Sequence, residues 1–541
     1  AGHVFVGWKA GDAVTTASQS VAVGDQALSA ASTGSHNTAV GYNSMLANTT
    51  GDFNTMIGSE SGDANTTGAN QVAVGARSLS ANTTGGFNTA LGYGALRYNT
   101  TASNNTAVGK DALSANTTGT QNIAVGGGAI DANTTGSYNV AMGHEALSTS
   151  VTDSHNTAIG NNAMKDAYGA SHNVAVGSAS MNNITTGDYN VGVGSQTFDL
   201  LTTGSQNTGM GYSALNVNTT GDNNTAIGFG ALDANTTASN NTAVGYAALG
   251  ANTTGTDQTA VGAYALQTQT TNGYNTAIGR SALESLTTGE KNVVVGAQAM
   301  DAATTADQSV AVGYNAGGAI TTGDFNTAIG YQALKTATTG QRNTVVGHEA
   351  GEAMTTGSYN VAMGMACMEA LTEGEYNVAV GYNCMNATTT GNNNTALGRN
   401  AGTLITTANQ NTMIGQNAGN RTTTGAYNVC VGAESDTSSA TSEGEIVIGR
   451  DVAGGGNNTV RFGQDGNKAT LSLDGTDTSW AATSDVRLKE NIKDSSAGLA
   501  FINDLRPITY NWRAKKDVPQ DMSQYEEGSE KPANGIIYGE Q

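Results

Sequence analysis

Along most of the chain the hydrophobic positions return with a fixed period of seventeen residues. The unit NTAVGYNSMLANTTGDF, residues 37–53, stands for the rest, and its glycine Gly41 recurs at Gly7, Gly24, Gly58 and onward through Gly415, Gly432 and Gly449. That gives 27 anchor glycines with no insertion or deletion between them. Three residues before the anchor every unit has Thr, Val or Ile, as in Val21, Thr38, Ile123 and Val293; one residue before it every unit has Val, Ile, Leu or Met, as in Val40, Ile57, Leu91 and Met142. These two slots are i and i+2, so in an extended chain they share one face, and their β-branching predicts a strand of about five residues with this pair turned inward. The third residue after the anchor is always small (Ala, Ser, Thr or Cys, through Ser435) and the fourth is mostly Leu or Met. Small beside large is the pattern of a thin, filled interior.

A short strand, an apolar step and a Thr-Thr-Gly turn cannot bury a hydrophobic face alone, whereas stacked coils can. Seventeen residues is too short for a helix-pair repeat, so the expected fold is all-β: a parallel β-solenoid of 27 coils, each hydrogen-bonded to the next. With about 4.8 Å between coils, such a rod is about 125 Å long. The unbroken period matters, because one inserted residue would turn a strand's inward set outward. Asn occupies the slot four before the anchor in 21 of 27 units, which predicts an amide ladder running up the rod where the backbone turns.

The phrases SVAVG (Ser20 to Gly24, Ser309 to Gly313) and NTAVG resemble the head repeats of trimeric autotransporter adhesins. The resemblance implies a β-roll assembled as a trimer; a fibrous triple β-helix with three interwoven chains is the alternative.

Chemistry along the repeats is sparse. The phrase HEA occurs at His144-Glu145 and His348-Glu349, twelve coils apart and outside any HExxH pattern, and reads as solvated surface. His155 and His172 fall in one slot, but Phe53, Tyr138, Asn223, Lys291 and Arg342 fill that slot elsewhere, which marks an exposed turn and no metal site. Directly after the anchor, Tyr212, Phe229 and Tyr246 occupy three successive coils and Tyr314 and Tyr331 two more. Stacked rings of this kind either pack as a ladder or offer a strip to a glycan. Cys367 and Cys384 sit in the always-small slot and Cys430 replaces the usual Ala two before the anchor, so all three read as buried free thiols, in keeping with assembly in a reducing cytoplasm. Repeated Thr-Thr-Gly raises an ice-binding or purely structural filament as a further alternative.

Charge and proline then divide the chain. The net charge is −21 and no basic run appears in the repeats, which argues against a nucleic-acid surface. There is no apolar run long enough to span a membrane, and no cofactor motif. The three prolines, Pro507, Pro519 and Pro532, all lie after Ser484, where 8 basic and 10 acidic residues crowd into 58 positions. The expected organisation is therefore a repeat shaft over 1–449, a transition over 450–483 and a different domain over 484–541. The chain starts at Ala1 without Met and stops at Gln541, which suggests a fragment at both ends.

The stretch SDVRLKENI from Ser484, followed by LRPITYNW (Leu505 to Trp512), reads in itself as a Ser-capped amphipathic helix. It also resembles the opening of the C-terminal intramolecular chaperone of phage tail fibres, tailspikes and endosialidases. That resemblance implies the start of an α+β domain that trimerises the fibre and cuts itself off. Mapped here, Ser484 is the nucleophile, Lys489 assists as base or proton donor, and Asp485 becomes the new N-terminus. The reading that follows is a homotrimeric tail-fibre protein of a virion, assembled in the bacterial cytoplasm, that attaches to a host-surface glycan or protein receptor. Its one reaction is an intramolecular cleavage. A bacterial trimeric surface adhesin is the second reading.

Overall fold

The computed structural model describes residues 2–473, 481–482 and 527–528. Among them there is no helix; the chain is an all-β parallel solenoid of about 27 turns. Strands of three residues, from Val4–Val6 through Val429–Val431, each pair in parallel with the strand seventeen residues on. The register is strict: Val21 faces Thr38, Ala22 faces Ala39 and Val23 faces Val40, and the same offset holds along the rod. Each coil closes its own core, with the strand residue and the small and large slots after the anchor fully buried.

The strand parity is the reverse of the one expected. The slots three and one before the anchor do share a face, but that face points outward; the residue between them is the buried one. Ala22, Ala39, Ala73 and Ala90 are fully buried, while Ile57, Leu91 and Val72 around them are 38–45% exposed. The inside is thin, so a small strand residue usually meets the large fourth-slot side chain, although Val294 and Val345 are also held there. Alanine against leucine fits, and the small third slot and large fourth slot after the anchor are indeed core, as with Ala95 and Leu96.

Volume is balanced coil by coil. Where the strand residue grows to Met56 or Met413, the fourth slot shrinks to Gly62 or Gly419, and a methyl at Gly62 would touch Met56 Sδ at 2.9 Å. Where the fourth slot grows to Phe198, two strand positions shrink to Gly192 and Gly209. Where it is Gly317 or Gly402, Ile320 or Ile405 fills the space from the seventh slot. The fourth slot also lies in the left-handed region, with φ of 53° at Met45 and 50° at Leu249. Such a conformation costs about 1 kcal/mol for a non-glycine residue, so burial of the side chain must offset it. The anchor glycine is fixed for a different reason: at Gly245 φ is 140°, and a Cβ would sit 2.5 Å from the carbonyl oxygen of Gly262 in the next coil.

Polar groups at the corners are tied by ladders. The predicted one is present: Asn37 Oδ1 accepts from the Asn54 backbone N–H at 2.9 Å, and Asn37 Nδ2 donates to Gly51 O at 2.8 Å. A second amide ladder, through Asn48, Asn65, Asn82, Asn99, Asn116 and Asn133, was not foreseen; each Nδ2 donates to the preceding Oδ1 at 2.8–3.0 Å. The first Thr of the Thr-Thr-Gly turn adds a third, with Thr49 Oγ1 donating to Thr66 O at 3.0 Å. These satisfy backbone and amide groups that burial would otherwise leave unpaired.

The repeat geometry does not stop at Gly449. Ile446–Arg450 pairs in parallel with Thr459–Gln464, so one more coil follows, shortened to fourteen residues. Thr459–Gln464 then turns back through Asp465 and Gly466 into Asn467–Ser472, an antiparallel hairpin that Ala481–Ala482 extends. Here Glu445 takes the Asn slot and is fully buried. It accepts from the Ser438 and Gly456 backbone N–H groups at 2.7 and 2.8 Å and from the Ser438 hydroxyl, ending the amide ladder with a carboxylate.

Candidate functional surfaces

Two kinds of surface stand out on the shaft, and both follow from the parity of the short strand. Because the middle residue of each strand points inward, its two neighbours form parallel outward columns. The column one before the anchor is Val, Ile, Leu or Met in all 27 coils and contains no polar residue; the column three before it mixes Thr with Val and Ile. Leu397, Leu91, Met142 and Met210 on the first column are 43–48% exposed.

Rings flank these columns. Tyr212, Phe229 and Tyr246 stack with centroids 5.2–5.3 Å apart, and Tyr264 meets Tyr246 edge-on at 69°. Tyr314 stacks on Tyr331 at 5.7 Å, and Tyr331 on His348 at 5.0 Å. All five predicted rings are about half exposed. Beside Phe229 lies a groove of about 420 Å³, floored by Gly230, Ala247, Gly250 and Ala251 and edged by Asp233, Gln267 and Thr268. Burial pushes the Asp233 carboxyl above its ordinary value. The groove exists because Gly250 stands where neighbouring coils have Asp233 and Gln267.

The slot five before the anchor carries a second set of rings. Tyr138, His155, His172 and Tyr189 form one continuous stack, with the two imidazoles 4.8 Å apart and 3° from parallel. In-plane lone pairs of parallel rings run side by side and do not converge on one ion, so the geometry is that of a ring ladder. Tyr359 and Tyr376 stack likewise at 4.8 Å, with the Arg342 guanidinium over Tyr359. Reading the slot as a generic turn missed this, although its residue types carried the signal.

The remaining chemistry is local. Glu145 pairs with Lys165 at 2.7 Å, and Lys165 is what lowers the carboxyl's pKa; His348 Nδ1 lies 3.4 Å from Glu349. Glu349, Glu352 and Glu369 gather at one corner, but Lys335 pairs with Glu352 at 2.9 Å and the Asn386 amide donates to Glu369 at 2.7 Å. Cys367, Cys384 and Cys430 are free and buried. The Cys367 thiol is pushed far up by its hydrogen bond with Cys384 and then by burial, and Cys430 is pushed up by burial first.

Ser484, Asp485 and Lys489 lie outside the described residues. No curated protein and no solved structure matches the chain. A family model does: residues 484–528 match the family described as chaperone of endosialidase, starting on Ser484 itself. The chain thus joins a parallel β-solenoid of about 27 turns to an endosialidase-chaperone segment, consistent with a protein of tailspike or endosialidase type.

Proposed function

We propose that the chain is the shaft of a homotrimeric, phage tail-fibre protein that attaches a virion to its host, with a C-terminal chaperone that gathers three chains and then releases itself. The observation that carries this reading is the chaperone match over residues 484–528, placed directly after a solenoid. In the proposed cleavage Ser484 Oγ attacks the carbonyl carbon of its own residue, Lys489 takes the hydroxyl proton and delivers it to the departing amide nitrogen, and the Ser484–Asp485 bond breaks. That step frees Asp485 as an N-terminus, and water then opens the four-membered cyclic ester left on Ser484, restoring its hydroxyl and leaving its carboxylate as the new C-terminus. A serine hydroxyl is a weak nucleophile unless a neighbouring group removes its proton, and a desolvated lysine can do so.

A repetitive rod supplies a reason for such a device. Successive coils are so alike that three chains slipped by one coil lose only their terminal contacts, so register is weakly specified from within. A clamp that collects three C-termini fixes it, and a closed rod then persists kinetically without the clamp. The exposed ring columns and the groove beside Phe229 support a role in host attachment, to a glycan or a protein receptor.

Expression of the natural full-length protein and its Ser484→Ala variant, followed by denaturing gels and mass spectrometry, tests the processing. A fragment beginning at Asp485 in the wild type and absent from the variant is expected; an uncut wild type that has formed its mature oligomer overturns it.

A further inference from the structure

We infer that the two outward strand columns form the contact between parallel copies of this chain, with the column one before the anchor buried along the whole rod. This rests on the trimer reading above and deepens it by naming the face. The column runs through Val193, Met210, Ile227, Val244, Val261 and Ile278 and is aliphatic in every one of 27 coils. A soluble surface does not keep such a row by chance, since the largest apolar patch of an ordinary monomer covers about 300–600 Å².

The dimensions agree with an interface. Two columns i and i+2 lie about 7 Å apart, and with side-chain width the strip is about 10 Å across and about 125 Å long. That is about 1,250 Å² per chain, above the roughly 800 Å² per partner of a specific stable interface. The composition agrees as well. Neither column contains a charged residue, whereas Asp, Glu, Lys and Arg occupy the corners, as with Glu145 and Lys165. Charge depletion at the centre with a polar margin is the pattern of an interface core and its rim, and the slots that flank this strip carry Lys110, Arg280 and Arg399 on one side and Asp257, Lys291 and Arg342 on the other, beside the rings. Parallel copies place like columns opposite one another at every level, so every coil contributes the same contact and none is left unpaired.

The same outward face carries Thr-x-Val and Thr-x-Ile triplets in regular array, which is the feature an ice surface would require. Two observations favour a second copy of the chain. Thr is replaced by Val or Ile in 13 of 27 coils, and the neighbouring column varies among Val, Ile, Leu and Met, so it presents steps of unequal height and no hydroxyls.

The test uses the full chain with Cys367→Ala, Cys384→Ala and Cys430→Ala, substitutions to the residue most other coils already carry in those slots. Val261→Cys on the strip and Thr254→Cys on the exposed turn of the preceding loop are each introduced alone. Mild oxidation is expected to give a band of twice the chain mass with Val261→Cys, at least tenfold above Thr254→Cys. Sedimentation reports the oligomer independently, and Val244→Asp with Val261→Asp is expected to dissociate it while the β signal of the solenoid in circular dichroism persists. An oligomer that cross-links at Thr254 and not at Val261 overturns the assigned face and leaves the trimer reading standing. A folded monomer overturns both, and thermal hysteresis in that monomer assigns the face to ice.

Discussion

The exchange of volume around Phe198 makes a quantitative prediction. Phe198 is fully buried and occupies the fourth slot of its coil, where most coils have Leu or Met; Gly192 and Gly209 occupy the strand slots above and below, where most have Ala. A methyl at Gly209 would lie 2.6 Å from Phe198 Cε2 and 2.7 Å from Thr197 Cγ2, and one at Gly192 2.9 Å from Ser180 Oγ, 3.0 Å from Met181 Cε and 3.2 Å from Phe198 Cδ2. Neither glycine has a positive φ, so alanine at these positions meets a steric obstacle only. Gly209→Ala alone is therefore expected to cost about 1–3 kcal/mol by overpacking. Phe198→Leu alone leaves a void and should cost about 1–2 kcal/mol, below the 3–5 kcal/mol typical of Phe→Ala. In Phe198→Leu with Gly192→Ala and Gly209→Ala the ring contacts are relieved and the void is filled while the Thr197, Ser180 and Met181 contacts remain, so a coupling of about 1–3 kcal/mol in the favourable direction should recover part of both losses. A solenoid need not unfold in one step, so the readout is amide hydrogen exchange of residues 191–210, where each tenfold gain in rate corresponds to about 1.4 kcal/mol. Additive costs in the combined variant would refute the account of the core as a shared volume.

Two other predictions follow from the interior. Asn377 Oδ1 accepts from the backbone and side chain of Asn394, and its Nδ2 donates to Gly391 O at 2.8 Å; Asn377→Ala should orphan these buried partners at a cost of about 2–5 kcal/mol, seen as faster exchange confined to the adjoining coils. The three thiols should resist alkylation in the folded rod at pH 8 and react on unfolding. Because burial raises the folded pKa of Cys430, the folded state keeps its proton where the unfolded thiol has lost it, so its contribution to stability is full below about pH 8.5 and declines above that. A denaturant midpoint that rises between pH 8 and 10 contradicts this.

Much of the shaft was legible because its period is strict: the coil length, the parallel register, the Asn ladder and the small-beside-large core all follow from comparing equivalent slots. What the pattern concealed was parity. Val21, Ala22 and Val23 are all apolar, so alternation could not say which face is inside, and the β-branched pair looked more like a core than the alanine between them. The second amide ladder was hidden because Asn48 and Asn65 give way to Leu286, Ile320 and Met354 in later coils; Gly317 and Gly351 open the space that Ile320 and Met354 fill, whereas Leu286 is buried beside Leu283. The final coil was missed because it has fourteen residues. The chaperone segment was legible from motif resemblance, with Ser484 at its first position.

The hairpin formed by Thr459–Gln464 and Asn467–Ser472 gives the rod a direction. A parallel solenoid ends in a strand with unpaired backbone groups, a template on which a second rod can dock and grow into a fibril. Reversing the chain at Asp465 replaces that parallel edge with an antiparallel one of different bonding pattern and twist, so an incoming seventeen-residue coil finds no matching partner. The same turn that ends the repeats caps this end of the solenoid, so that many copies at high concentration remain separate rods in place of an endless polymer.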